Sequence, residues 1–183
     1  MNNRLRRGLR GALAVLLATI GTASPQPLEL RNALPSATLA GSSHATFWGF
    51  DVYAANLWVE PGFKASEYER HAFALELTYL RDFTNEAIAK RSLDEMRRQP
   101  GFPPAQLKAW QQALRGAFPD VHKGDRITGI HRPGEETVFI TNGQRTGVVR
   151  DAEFGRLFFG IWLSVHTSEP RLREALLAGI SSR

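Results

Sequence analysis

From Thr38 to Glu60 the chain is apolar on both alternating sets of positions. Phe50, Val52, Ala54 and Trp58 fall on one side, and Tyr53, Ala55, Leu57 and Val59 on the other. A strand that is apolar on both faces is covered on both, so this segment reads as a central strand, with bends at Gly41 and Gly49 and an end at Pro61-Gly62. Phe73, Leu75, Leu77 and Tyr79 then alternate with Ala74, Glu76 and Thr78, the period of a half-buried strand. The period next changes to that of a helix. Thr84 or Asn85 supplies a cap and Pro100-Gly101 a stop, and a second helix from Pro104 carries the line Leu107, Trp110, Leu114. Three further strands follow over 125–132, 137–141 and 144–150, the first two joined at Pro133-Gly134 and the last two at Asn142-Gly143, a strong hairpin signal.

Two helices end the chain. Phe154, Leu157, Phe158, Ile161, Trp162 and Val165 form one apolar stripe behind Asp151 as N-cap. Ser168 stands where it could cap the second helix, with Pro170 in its first turn, Leu172, Ala175 and Leu176 as its apolar line, and Gly179 as its stop. Strands and helices gathered in blocks predict an α+β fold with an antiparallel sheet.

Several blocks of wording are more specific than their periodicity. They are Phe47-Trp48-Gly49-Phe50-Asp51-Val52-Tyr53-Ala54-Ala55-Asn56-Leu57-Trp58, Tyr79-Leu80-Arg81-Asp82-Phe83, Ser92-Leu93-Asp94-Glu95-Met96-Arg97-Arg98, and Phe118-Pro119-Asp120-Val121-His122-Lys123-Gly124-Asp125-Arg126 with Asn142-Gly143. Phe158-Phe159-Gly160-Ile161-Trp162-Leu163, Thr167-Ser168-Glu169-Pro170 and Leu172-Arg173-Glu174-Ala175-Leu176-Leu177 close the set. In this order, over roughly residues 37–179, they resemble the bacterial chalcone isomerase-like proteins. The resemblance implies an open-faced β-sandwich: a large antiparallel sheet covered on one side by helices, with a ligand cleft between them. Fold alone does not carry activity.

The first 23 residues read as a secretory signal peptide. Arg4, Arg6, Arg7 and Arg10 precede the apolar run 12–20, and Gly21-Thr22-Ala23 offers the small residues of a cleavage site. The run is shorter than the roughly 20 residues of a bilayer span. Residues 24–36 are then a lead-in segment and 37–183 a single domain, periplasmic or secreted. Removing the signal changes the charge argument. Of 23 basic residues four lie in it, leaving 19 against 18 acidic ones, so the mature chain is nearly neutral. The pI of about 10.1 therefore gives no reason to expect a nucleic-acid partner. With no cysteine, disulfides, thiolate nucleophiles and sulfur-built zinc sites are excluded.

No nucleophile elbow, phosphate loop or dinucleotide fingerprint is present, and no two of the five histidines (His44, His71, His122, His131, His166) stand at helical metal-ligand spacing. His122 and His131 read as surface residues beside loops, and the four tryptophans as core. Asp94 and Glu95, adjacent on one helix, point apart and make a poor acid/base pair. No metal and no cofactor are expected.

The resemblance is sharper about chemistry. It implies that catalytic relatives stabilise developing negative charge with an arginine early in the central-strand region. The place of that arginine is Gly41-Ser42-Ser43-His44, which holds none. The helper threonine's place falls on Tyr53, and those of a helix tyrosine and asparagine near Ala87 and Asp94. No catalytic residue is therefore assigned. Non-catalytic relatives bind fatty acids through an arginine and a tyrosine; Tyr53 matches the tyrosine, and His44 or Arg81 would have to supply the positive charge. The expected function is an exported binding protein for a small apolar or amphipathic ligand such as a fatty acid, with Tyr53, His44 and Arg81 as ligand-binding residues. The alternatives are an isomerase of the intramolecular-lyase type built on His44 and Tyr53, and a structural protein with a filled cleft.

Overall fold

The computed structural model describes residues 26–180 other than Trp48. The expected signal segment, its cleavage site and Trp48 lie outside the described residues.

Six strands form one antiparallel meander in chain order: β1 Thr38–Phe47, β2 Phe50–Val59, β3 Phe73–Tyr79, β4 Arg126–Arg132, β5 Glu136–Thr141 and β6 Gln144–Val149. Every strand pairs with its sequence neighbour; β1–β2, β4–β5 and β5–β6 are joined by tight turns, while the β3–β4 connection carries two of the helices. The stretch read as one bent strand over 38–60 is a hairpin, β1 and β2, because Gly49 takes φ 79° and turns the chain back. β2 is thus the second strand, and β3 and β4 are the middle pair.

Register explains which side chains meet. Leu57, Leu75, Gly129, Phe139 and Gly147 form one row across β2 to β6. This inner face is covered by α2 Asn85–Arg97, α3 Leu107–Ala117, α4 Ala152–Leu163 and α5 Pro170–Leu176. Gly129 is required by packing: a Cβ there would stand 3.1 Å from the ring of Phe159. α4 is apolar nearly all round and is buried accordingly, with Phe154, Leu157, Phe158, Phe159, Trp162 and Leu163 all inside. Each buried side chain of that size contributes about 1.5–3 kcal/mol, which makes α4 the chief fastening of the helical layer. Val165, expected in the same stripe, lies past the helix end and is exposed.

Caps follow the sequence in two cases of three. The Thr84 hydroxyl accepts from the Ala87 amide at the start of α2. Asp151 accepts from the amides of Glu153 and Phe154 at the start of α4, and its other oxygen takes the Trp110 indole N–H at 2.9 Å. Ser168 does not cap α5. Its hydroxyl donates instead to Glu95 Oε2 at 2.8 Å, and Glu169 occupies the cap position without a side-chain bond. Gly179 does not end α5 directly either; its amide donates to the carbonyl of Ala40 and pins the tail to β1.

The outer face has a smaller cluster. The segment read as a plain lead-in carries α1, Leu28–Ala33, which lays Leu30 and Leu34 on Trp58, Ala74, Ile130 and Val138. Beside it runs a polar chain across four strands: Ser42 to Asn56, Asn56 to Glu76, and Arg126 between Glu76 and Glu29 of α1. His131 corrects the surface reading. It sits in β4, 3% exposed, and its Nε2–H donates to the carbonyl of Glu69 at 3.0 Å. Burial holds its imidazole below the usual pKa. Among the described residues, no helix is long and apolar enough to cross a membrane.

Candidate functional site

Between the inner face of the sheet and the helical layer lies a cavity of about 350 Å³. That is within the range of small-molecule sites. Its floor is Leu75, Leu77, Tyr79, Ile127 and Gly129, and Phe158, Phe159, Ile161 and Trp162 of α4 close it from above. The wall from α2 is a single helical stripe, Ala87, Ile88, Arg91, Ser92 and Glu95, which begins apolar and ends charged. Thr46 from β1 and Ser168 and Glu169 from the α4–α5 connection complete the polar end.

Tyr53 reaches this cavity by alternation, on the face of Ala55 and Leu57, and the residue before it joins it through an irregularity in the hairpin. Ala45 pairs with Tyr53 but Thr46 pairs with Asp51, so Val52 is an extra residue in β2. Such a bulge re-aims neighbouring side chains, and both Val52 and Tyr53 line the cavity. The Tyr53 hydroxyl oxygen accepts the indole N–H of Trp162 at 2.9 Å. Among the described residues, its own proton has no acceptor. Burial pushes the phenol up to about 12, against the opposing pull of the Trp162 hydrogen bond, with Glu169 adding to the rise. It is therefore a neutral donor at any physiological pH.

The only guanidinium on the cavity wall among the described residues is that of Arg91, which is paired with Glu95 at 2.9 Å. Glu95 is nearly fully buried, while the Arg91 side chain is 60% exposed. The Ser168 hydroxyl satisfies the other Glu95 oxygen, and Arg98 stands 3.8 Å away. Hydrogen-bonded contacts of this kind from Arg91 and Ser168 hold the buried carboxylate in one position.

Of the three side chains singled out in the sequence, the fold brings only Tyr53 to the cavity. His44 pairs with Ala54, one residue out of step with Tyr53 and its partner Ala45, and is exposed on the strand without lining the cavity. Arg81 is exposed and stacks its guanidinium 4.9 Å over the Phe50 ring. The fold does not bring His44 and Tyr53 together at the cavity. The charge at the cavity comes instead from Arg91, Glu95 and Glu169. The signal of Arg91 and Glu95 lies in the spacing of Ala87, Ile88, Arg91, Ser92 and Glu95, but two charges a helical turn apart look like a solvated salt bridge, and Glu169 comes from a loop without such a pattern. Among the described residues, no group of three or more His, Cys, Asp or Glu could hold a metal ion.

The chalcone isomerase-like family model matches residues 21–178, almost the whole chain. The chain belongs to the chalcone isomerase-like family. Among solved structures, this family member is similar to a fatty-acid binding protein of Arabidopsis thaliana, with a TM-score of 0.59 and 14% identity over 78% of this chain and 87% of that one. At that identity the likeness shows a shared fold, the six-stranded antiparallel sheet with its helical cover. No curated protein matches the chain. Within the chalcone isomerase-like fold, then, this cavity has a tyrosine donor and, among the described residues, a single arginine, which is ion-paired.

Proposed function

We propose that this chalcone isomerase-like protein is an exported, non-catalytic carrier of a small apolar or amphipathic ligand, one with a fatty-acid-like chain. One observation carries the reading: an apolar cavity ends at a tyrosine hydroxyl that is held by Trp162 and has a proton left to give. The apolar walls take the chain and Tyr53 takes the polar end. The fatty-acid binding protein of similar fold supports the ligand class. Export rests on the arginine-rich start, the apolar run and the Gly21-Thr22-Ala23 stretch.

Titration with straight-chain amphiphiles of increasing length tests it, in two series differing only in head group. Each methylene that enters an apolar wall contributes about 0.8 kcal/mol, or roughly a fourfold gain in affinity, until the cavity is full. Affinity that climbs with chain length and then levels is the expected result. Absence of binding in both series, or binding indifferent to length, would overturn the reading. Mass spectrometry of small molecules retained by protein from its native host would name the ligand.

A further inference from the structure

The charges at the cavity mouth say which head group it takes, given the binding role proposed above. A fatty carboxylate entering chain-first would place its charge beside Tyr53, where two carboxylates, Glu95 and Glu169, and one guanidinium, Arg91, share the lining. Arg91 already pairs its Nη2 with Glu95 at 2.9 Å, so it could meet a second carboxylate only by sharing its remaining N–H groups. Its partner Glu95 is 6% exposed, and moving the guanidinium away would leave a buried charge short of its main partner. Ser168 is likewise committed, donating its proton to Glu95. An ammonium could reach Glu169, but it would leave the Tyr53 proton without an acceptor and would stand beside the Arg91 guanidinium.

A neutral hydroxyl answers both demands. It has lone pairs to accept the unused Tyr53 proton and a proton of its own to give to a mouth carboxylate. The exposed Glu169, which makes no side-chain hydrogen bond among the described residues, is the acceptor best placed to receive it. We propose that the ligand is a long-chain alcohol, its hydroxyl bridging Tyr53 and the carboxylate side of the mouth, and that the site discriminates against free carboxylates. The Arg91–Glu95–Ser168 arrangement is then a filter that occupies the cationic group a fatty acid would need.

The test uses 1-decanol, decanoate and decylamine at neutral pH and low salt, with the wild-type chain, Glu169→Gln and Glu95→Gln. The alcohol should bind at least about tenfold tighter than either charged analogue of the same length. Glu169→Gln should narrow the gap between alcohol and carboxylate several-fold by improving decanoate, with no change in melting temperature. Glu95→Gln serves as the second variant, its folding checked by circular dichroism. Decanoate binding as tightly as decanol, decylamine binding tightest, or a gap unmoved in both variants would overturn the filter while leaving the carrier reading intact. Failure of all three probes to bind would instead remove the carrier reading itself.

Discussion

The indole N–H of Trp162 donates to the hydroxyl oxygen of Tyr53 at 2.9 Å, tying α4 to β2 at the polar end of the cavity. The bond fixes the phenol in one orientation and turns its proton toward whatever else the cavity holds. It also makes Tyr53 a structural residue as well as a candidate anchor, since the indole N–H has no other partner among the described residues.

Tyr53→Phe should therefore act twice. Leaving the Trp162 donor unmet costs about 1–3 kcal/mol, visible as a lower urea midpoint with an unchanged slope. Loss of the donor to a neutral ligand head should weaken decanol binding about 2- to 12-fold. Chemical denaturation and calorimetric titration of the same variant separate the two effects. A stability loss with unchanged affinity would leave Tyr53 a purely structural residue.

Asp151 is the second double contact. One of its oxygens caps α4 and the other accepts from Trp110 of α3, so a single carboxylate joins the two helices. Asp151→Ala removes a cap worth about 0.5–2 kcal/mol and orphans the indole for about 1–3 more. The expected loss is roughly 2–4 kcal/mol, with Asp151→Asn recovering at least half. Equal destabilisation by both variants would show that charge, and not hydrogen bonding, is the cause.

How far the sequence announces this structure depends on which residues are asked. Period and turn chemistry are local, so the three-strand meander over 126–149, α2 behind Thr84 and α4 behind Asp151 were all legible. The β1–β2 hairpin is hidden in the sequence because alternation continues through its turn and Gly49 reads equally as a bend. Tyr53 was found on the side of Ala55 and Leu57, which is the cavity side. The face of His44 is not legible in the sequence because a strand reverses its faces at every residue and the offset is visible only in the register. Ser168 looked like a helix cap because its tertiary partner, Glu95, lies 73 residues away in the chain. His131 looked exposed because nothing local reveals that Phe73 and Phe159 pack against its ring.

Hydroxychalcones should not be isomerised faster than they cyclise spontaneously. The segment 41–44 holds no arginine, and Arg91 on the cavity wall is committed to Glu95. Losing one donor to a developing oxyanion typically costs about 100- to 1,000-fold. Absorbance decay of a hydroxychalcone with native and heat-denatured protein checks this. Turnover confined to the native sample would reinstate an enzymatic role.

Protein from the exporting cell should begin near Ser24. The basic, apolar and small segments that precede it are arranged in the order signal peptidase requires. Edman sequencing of the secreted or periplasmic fraction reads the start directly. Recovery of soluble cytoplasmic protein that retains Met1 would refute export by this route.

All three tyrosines of the chain should stay protonated well above the pH at which free tyrosine ionises. Burial pushes Tyr53 and Tyr68 up to about 12 and also raises Tyr79, against the unperturbed value of about 10. Tyr68 is further held by donating to the carbonyl of Arg156 at 2.8 Å. The linkage has a definite sign. Between pH 10 and 12 the unfolded chain has lost these protons while the folded one keeps them, so the unfolded state binds fewer protons and stability falls as pH rises. Each tyrosine contributes a slope of about 1.4 kcal/mol per pH unit in that window and nothing below it. Ultraviolet titration of the native protein should thus show no tyrosinate near pH 10, followed by an abrupt rise of all three groups that coincides with loss of the folded circular dichroism signal. The same titration in concentrated urea should show three ordinary tyrosines. One group titrating near pH 10 in the folded protein would mean that a phenol is in contact with water, and a cavity end open to solvent at Tyr53 would be the first place to look.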